Sequence, residues 1–243
     1  MTKKTTTKTT TTKKKKKEQD PREIILNLLT TKSALKQDII EDTEKIFVLL
    51  KKVLLEEVNA LKEKITDNRI RMQYDDKNRF EAQVFVGSDA LLFHMHNNIF
   101  LLPEAHPFWE QKYLKDNPSR GYFGIIYIYN FLAQSLIQSR SNDLGYLIGR
   151  IFVNSEGHFF MEGKGPLGTN FKEIGEECLC DDILRDVIQT SFAYALNFDL
   201  LTPPYDIVSQ INVQQAIAIS DSLSMQTGKR LGFKFESEKS EFL

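Results

Sequence analysis

The sequence contains only two cysteines, Cys178 and Cys180, and a single residue separates them. A framework of disulfide bonds cannot be built from one such pair, and low cysteine usage is typical of proteins in a reducing compartment. The sequence therefore argues against a small disulfide-stabilised secreted protein and predicts a cytoplasmic location. With 243 residues, 41% of them hydrophobic, the chain is long enough to bury a sizeable core.

The N-terminal segment lacks acidic residues, and residues 2–17 consist of lysine and threonine alone. A secretory signal requires an apolar stretch after its charges, and transit peptides are typically Arg-rich and amphipathic, so neither is predicted. Because this segment has nothing to bury that would offset the entropy cost of ordering, we expect residues 1–19 to be a disordered tail.

Positive charge is scarce outside this tail. The first 17 residues carry eight lysines and the whole chain has a net charge of -1, so subtraction leaves -9 for residues 18–243. Binding of a phosphate backbone needs clustered Lys and Arg, which argues against a broad nucleic-acid footprint on the body. Any nucleic-acid or anion binding by the tail is expected to be weak and to involve Lys13, Lys14, Lys15, Lys16 and Lys17.

The chain also lacks a long uninterrupted apolar run. The longest uncharged segment comprises the nineteen residues between Arg120 and Arg140, and five amide and hydroxyl side chains interrupt it. Its β-branched and aromatic part, from Ile125 to Tyr129, favours a buried strand that continues into a short helix. We therefore predict no membrane span.

Helical patterns occur at both ends of the body. Asp20 is a suitable N-cap and Pro21 fits the first helical position, and apolar residues at helical spacing continue to about Ile65. These features predict an N-terminal helical segment over residues 20–68. A second amphipathic helix is predicted from Asp181 to Phe198.

Between these helices the apolar period changes from that of a helix to two, which is typical of strands. The sequence predicts an α+β fold with an antiparallel sheet of about six strands, on which the N-terminal helical segment and the C-terminal helix pack. We expect residues 69–243 to form one domain together with residues 20–68. Strands are predicted near 70–75, 80–86, 90–96, 99–102 and 125–129, followed by a hairpin over 144–162. The pattern over residues 205–235 is ambiguous. One interpretation is a helix that begins at Val213 and a strand over 230–235.

Only four histidines occur, and His94 and His96 lie two residues apart in a predicted strand. Residues at this spacing project to one face of a sheet, so both imidazoles are candidate ligands of a metal ion, with His106, His158 or a carboxylate completing the site. The alternative is that both rings bond to neighbouring strands as partly buried polar groups. Because the sequence fixes no third ligand, we predict no bound metal and no cofactor.

Gly163, Gly165 and Gly168 match the spacing of a dinucleotide-binding Gly-x-Gly-x-x-Gly motif. That motif needs a parallel β-α-β unit, whereas the strand before Gly163 is predicted to close a hairpin. We therefore interpret the segment as a connecting loop, in which Lys164 is a candidate for contact with an anion.

Aromatic residues are concentrated in the central third of the chain, and most of them are expected in the core. Trp109 and Tyr113 lie in a proline-containing loop, so together with Lys164 they are candidates for a ligand or partner surface. The alternative is that the two aromatic rings anchor the loop to the core.

No nucleophile-base pair, metal-ligand set or phosphate-binding loop is evident in the sequence. The first hypothesis is therefore a non-enzymatic binding or regulatory module, for which the partner is unknown and a protein is one candidate. A second hypothesis is a small-ligand sensor or an enzyme with a pocket between the sheet and the helices. A third is weak nucleic-acid association through the lysine tail.

Overall fold

The computed structural model describes residues 20–175, 177–199, 201–202 and 204–214. The lysine tail and the strand expected at 230–235 lie outside the described residues. Among the described residues, those up to Leu35 form one compact unit, and those from Lys36 onwards form a second.

The first unit is helical in its described part. Helix α1 spans Pro21–Leu28, and the carboxylate of its N-cap Asp20 accepts a hydrogen bond from the backbone nitrogen of Arg22 at 3.0 Å, in agreement with the predicted cap. A π-helical turn at Leu29–Ser33 follows; helix α2 spans Ala34–Lys62 and, from Lys36 onwards, belongs to the second unit. No residue of α1 is buried.

The second unit contains an antiparallel sheet of seven strands. Its order is β1-β2-β3-β5-β6-β7, and the short strand β4 pairs with the start of β5. The α+β class and the antiparallel sheet confirm the prediction, with one strand more than expected. The strands are β1 (Met72–Asn78), β2 (Glu81–Val86), β3 (Asp89–Met95), β4 (Phe100–Leu101), β5 (Tyr122–Leu132), β6 (Tyr146–Val153) and β7 (Phe159–Gly163).

Five further helices accompany the sheet in the part of the chain that the structure describes. The uncharged segment that approached the length of a membrane span forms β5 and the short helix α4, as predicted, and no helix in the described part of the chain is long and apolar enough to cross a membrane. The helices are α3 (Lys112–Asp116), α4 (Ala133–Ile137), α5 (Pro166–Thr169), α6 (Asp181–Leu196) and α7 (Tyr205–Val208).

Helices α2 and α6 cover one face of the sheet, which we call the helix face. Apolar residues at helical spacing on both helices join the main core of the protein with alternate residues of the strands. Gly124 lies directly under α2, because a Cβ atom there would come within 2.1 Å of the Thr43 hydroxyl oxygen. Core members with no exposed surface include Phe47, Leu50, Leu54, Phe93, Ile126, Ile128 and Leu184.

Polar contacts join α2 to α6 at the edge of this core. The carboxylate of Glu57, a residue only 7% exposed, accepts hydrogen bonds from Arg185 and, at 2.8 Å, from the Gln189 amide. Arg185 also bonds to Glu56 at 3.0 Å. Because the carboxylate of Glu57 has these partners, its burial leaves no unpaired charge.

The opposite face of the sheet, which we call the open face, is covered near the two ends of β5 by short segments. Residues 102–121, the covering segment, contain α3 and two 3-10 turns and pack on one end through Leu102 and Leu114. At the other end, Ala133 of α4 packs on Phe85 and Ala90. The strip of sheet between these two covers contains the candidate site.

Candidate functional site

A row of polar side chains crosses the open face between the two covers. The strand register pairs Glu81 with His94, and His94 with Tyr127. It then pairs Tyr127 with Arg150, and Arg150 with Glu162. Residues opposite each other in antiparallel strands share a face of the sheet, and all five are partly exposed. We call these five residues the polar row.

Two tyrosines of β5 stack along the open face. The rings of Tyr127 and Tyr129 have centroids 5.8 Å apart and an interplanar angle of 28°. Burial raises the pKa of Tyr129, the neighbouring Tyr127 adds to this shift, and Arg150 opposes it. Neither hydroxyl has a hydrogen-bond partner among the described residues.

Arg150 and Glu162 form an ion pair at one end of the polar row. The Nε and Nη2 atoms of Arg150 both donate to Oε2 of Glu162, with an Nε to Oε2 distance of 2.8 Å. The guanidinium carbon lies 5.0 Å from the centroid of the Phe152 ring. Because the side chain of Arg150 is 36% exposed and that of Glu162 is 42% exposed, the pair contributes little to stability. Its main consequence is the fixed position of the guanidinium group.

A cleft lies beside this ion pair, between the covering segment and the sheet, and has a volume of about 250 Å³. Arg150, Glu162 and His106 supply its polar edge. Apolar walls with a few placed polar groups are the usual composition of a small-ligand site. We call this space the aromatic cleft, and its walls include Phe100, Leu102, Phe123, Ile125, Tyr127 and Phe152.

Two further clefts adjoin the same ion pair. One, of about 320 Å³, is lined in part by Arg150, Glu162 and Lys164. The other, of about 450 Å³, is lined in part by His106, Glu162 and Lys172. Lys164, a candidate from the sequence, therefore lines the same cleft as Arg150.

His94 and His96 lie near each other but have separate partners. The Nδ1 atom of His94 is 3.9 Å from Oε2 of Glu81, while Nδ1 of His96 accepts a hydrogen bond from the backbone nitrogen of Asn98 at 2.9 Å. The ring of His96 packs edge-on against Phe100 at 4.8 Å. Within the described residues, no group of three or more His, Cys, Asp or Glu side chains is placed to hold a metal ion.

The glycine-rich segment, interpreted from the sequence as a connecting loop, follows an antiparallel hairpin and contains the four-residue helix α5 (Pro166–Thr169); it is not a dinucleotide loop. Gly163 ends β7, which pairs antiparallel with β6, so no β-α-β unit precedes the segment. A Cβ atom at Gly168 would lie 2.2 Å from the carbonyl oxygen of Gly163. Close packing of the backbone therefore accounts for glycine at both positions.

Trp109 lies within the covering segment and is half-buried. Its indole nitrogen donates a hydrogen bond to the carbonyl oxygen of Pro103 at 2.9 Å. Its ring lies over Gly121, where a Cβ atom would come within 2.3 Å of the indole. These contacts favour the anchoring alternative for Trp109.

Tyr113 anchors the same segment to the β6–β7 hairpin. Its hydroxyl donates to Glu156 at 2.7 Å and accepts from the Asn154 amide at 2.8 Å, and its ring stacks on His158 with centroids 5.1 Å apart. The guanidinium carbon of Arg120 lies 4.4 Å from the centroid of the same ring, and Nε of Arg120 donates a hydrogen bond to Glu156. Burial, together with the hydrogen bond to Glu156, raises the pKa of Tyr113 to about 12.

The sequence analysis missed Arg150 and Glu162. Val153 and Phe159 pair at the turn end of the hairpin. Arg150 lies three residues before Val153 and Glu162 lies three residues after Phe159, so Arg150 and Glu162 face each other across the hairpin. Arg150 is also the only charged residue between Asp143 and Glu156. A charged residue within an apolar strand, matched across a predicted turn by one of opposite sign, is the signal that would have identified them.

Comparisons with known proteins give no information on the function of this chain. No family model, no curated protein and no solved structure matches the chain.

Proposed function

We propose that this protein is a non-enzymatic binding module that holds a small organic ligand in the aromatic cleft. The observation that carries the proposal is the combination of aromatic walls with the fixed ion pair of Arg150 and Glu162 around one cleft of about 250 Å³. Such a cleft provides apolar contact area for affinity and a few polar atoms for orientation.

The walls of the cleft are ordered by the core beneath them. Phe123 is 1% exposed and Phe152 is 5% exposed. The ring of Phe152 stacks on Phe160 with centroids 4.4 Å apart and an interplanar angle of 3°. Walls that are rigid before binding lose little conformational entropy when a ligand enters, which favours measurable affinity for a small molecule.

The polar groups beside the cleft suit recognition better than proton transfer. Arg150 and Glu162 are hydrogen-bonded to each other, and elsewhere in the polar row the separation of 3.9 Å between His94 and Glu81 is too long for a hydrogen bond. A general base normally has its proton donor within hydrogen-bond distance. This arrangement supports the non-enzymatic part of the proposal.

A small ligand is favoured over a protein bound through the rings of Trp109 and Tyr113. Both side chains are committed to contacts that hold the covering segment in place.

The free, exposed thiols of Cys178 and Cys180 agree with the cytoplasm as the proposed location.

The proposal is tested by titrating indole, a neutral aromatic probe, into isotope-labelled full-length protein and following the amide chemical shifts. We expect saturable shifts at residues that line the cleft. Leu101 lines the cleft and is 48% exposed, so Leu101→Trp should fill the space and abolish the shifts. Leu144 is 60% exposed and does not line the cleft, so Leu144→Trp is the matched control.

Two results would contradict the proposal. One is the absence of saturable shifts in the native protein. The other is indole binding to Leu101→Trp with the affinity of the native protein, because the probe would then occupy a different place.

A further inference from the structure

We infer that the ligand of the aromatic cleft is a small apolar carboxylate whose carboxyl group binds to Arg150. This inference rests on the proposed function, and it adds the chemical class of the ligand. Three observations support it: the unused hydrogen-bond donors of Arg150, the balance of charge around the clefts and the size of the space.

Arg150 has donor capacity left after its ion pair is made. Two of its nitrogens, Nε and Nη2, are directed to the same oxygen of Glu162, and Nη1 has no partner among the described residues. A guanidinium group carries five N–H donors in a rigid fork that matches a carboxylate. The pair with Glu162 and the ring of Phe152 already fix this fork, so a ligand does not have to order it.

The charged residues that line the three clefts are predominantly positive. The three adjoining clefts are lined by Arg150, Lys164 and Lys172 on the positive side and by Glu162 on the negative side. One carboxylate cannot neutralise three cations, so the local potential attracts an anion. A ligand with a single negative charge is favoured over one with two, because desolvation against apolar walls costs more for the higher charge.

The size of the cleft limits the ligand to a small molecule. A volume of about 250 Å³ corresponds to roughly eight water molecules at liquid density. One aromatic ring or a short branched chain fits this space, with its carboxylate at the edge formed by Arg150. Larger acids would have to extend along the adjoining clefts.

The decisive comparison uses two probes of the same shape, para-toluate and para-toluamide, titrated into the full-length protein by the same chemical-shift method. A charge-assisted hydrogen bond is about twice as strong as a neutral one, so we expect toluate to bind roughly tenfold more tightly than toluamide. The preference should weaken as salt is added, because Arg150 is partly exposed.

Three variants separate the role of Arg150 from that of net charge. Arg150→Gln should bind both probes with similar affinity. Glu162→Gln removes the competing carboxylate, so its preference for toluate should exceed that of the native protein. The double variant R150Q/E162Q has the net charge of the native protein but no guanidinium, and it should also lose the preference.

The possible results are distinguishable. Equal affinity for toluate and toluamide in the native protein, or a preference that survives in R150Q/E162Q, overturns the inference but leaves the proposed function intact. A Glu162→Gln variant that does not bind toluate more tightly also contradicts the inference, and this variant remains informative if Arg150→Gln fails to fold. Absence of binding by both probes and by indole would overturn the proposed function itself.

Discussion

On the helix face of the sheet, Phe93 and Ile128 are fully buried under α2 and α6, whereas on the open face the neighbouring residues His94, Tyr127 and Tyr129 remain partly exposed. These residues alternate along the same two strands, so the difference arises from what packs above each face. Two long amphipathic helices cover the first face, and short segments cover the ends of the second.

This difference separates stability from recognition. Burial of each large apolar side chain on the helix face contributes about 1.5–3 kcal/mol. The open face can therefore retain an exposed ion pair and two tyrosine hydroxyls, which add little to stability. Four predictions test whether the two faces are in fact independent.

The largest expected effect is the loss of a core side chain from the helix face. Phe93→Ala should lower the free energy of unfolding by about 3–5 kcal/mol, because Phe93 is fully buried and its removal leaves a cavity. Phe100→Ala, on the wall of the aromatic cleft, should cost only about 1 kcal/mol, because Phe100 is 37% exposed. Urea unfolding measures both.

Indole titration supplies the second half of this comparison. The folded fraction of Phe93→Ala should bind indole as the native protein does, while Phe100→Ala should bind it more weakly. Equal losses of stability in the two variants, or unchanged indole binding by Phe100→Ala, would show that the faces are not divided in this way.

The sequence was sufficient to predict the helix face, because local patterns encode it directly. The N-cap at Asp20, the helical spacing over α2 and α6 and the alternation over β1 to β3 each determine an element without reference to distant residues. The antiparallel order of the sheet then follows from short turns between consecutive strands.

The candidate site was less predictable, because it depends on register and on packing between distant segments. The opposite charges of Arg150 and Glu162 across the predicted hairpin were a usable signal, but the register was needed to place Arg150 beside Tyr127. The cleft also needs residues near 100–106 to lie against β5 and β6, a contact that no local pattern encodes. Trp109 and Tyr113 attracted attention as loop aromatics, and their hydrogen bonds and ring contacts are those of anchors.

An intermediate effect is expected from the anchor of the covering segment. Gly121→Ala places a Cβ atom within 2.3 Å of the Trp109 ring, so the Trp109 side chain must move. Overpacking of this kind costs about 1–3 kcal/mol. Because Trp109 is the only tryptophan, its fluorescence should report the displacement of its ring. The affinity for added indole, the probe, should fall as the wall of the cleft shifts.

As a control, Gly149→Ala introduces a Cβ atom at ordinary contact distances, 3.4 Å or more from its neighbours. This variant should leave the tryptophan fluorescence unchanged. An unchanged emission spectrum in Gly121→Ala would show that the indole is not held against residue 121.

A smaller effect is expected from the Tyr113 hydroxyl at alkaline pH. Its folded pKa of about 12 exceeds the ordinary value of 10, so its stabilising contribution is complete below pH 10 and is lost as the pH rises towards 12. In this window the unfolded state releases its proton first, and the free energy of unfolding falls with increasing pH. Tyr113→Phe should show a shallower fall, measured by urea unfolding across this range.

Two other tyrosines provide the comparison for this measurement. Burial raises the pKa of Tyr74 to about 12 as well, so part of the alkaline slope should persist in Tyr113→Phe. Tyr205 is 80% exposed, and Tyr205→Phe should retain the slope of the native protein. If Tyr113→Phe and Tyr205→Phe behaved alike, the hydroxyl of Tyr113 would not be coupled to folding.

The smallest effect is expected from deletion of residues 2–17, because lysine and threonine provide no apolar surface for either face and α1 has its own cap at Asp20. The melting temperature and the indole affinity should both stay unchanged, and a fall in melting temperature of more than about 4 °C would show that the tail packs on the body.

Full-length protein should bind labelled DNA duplexes weakly at low salt, without preference between two unrelated sequences, and should lose this binding at physiological salt or on deletion of residues 2–17. If the truncated protein instead bound one duplex tightly, recognition would reside in the body despite its charge of -9, and Arg150, Lys164 and Lys172 would be the first residues to replace.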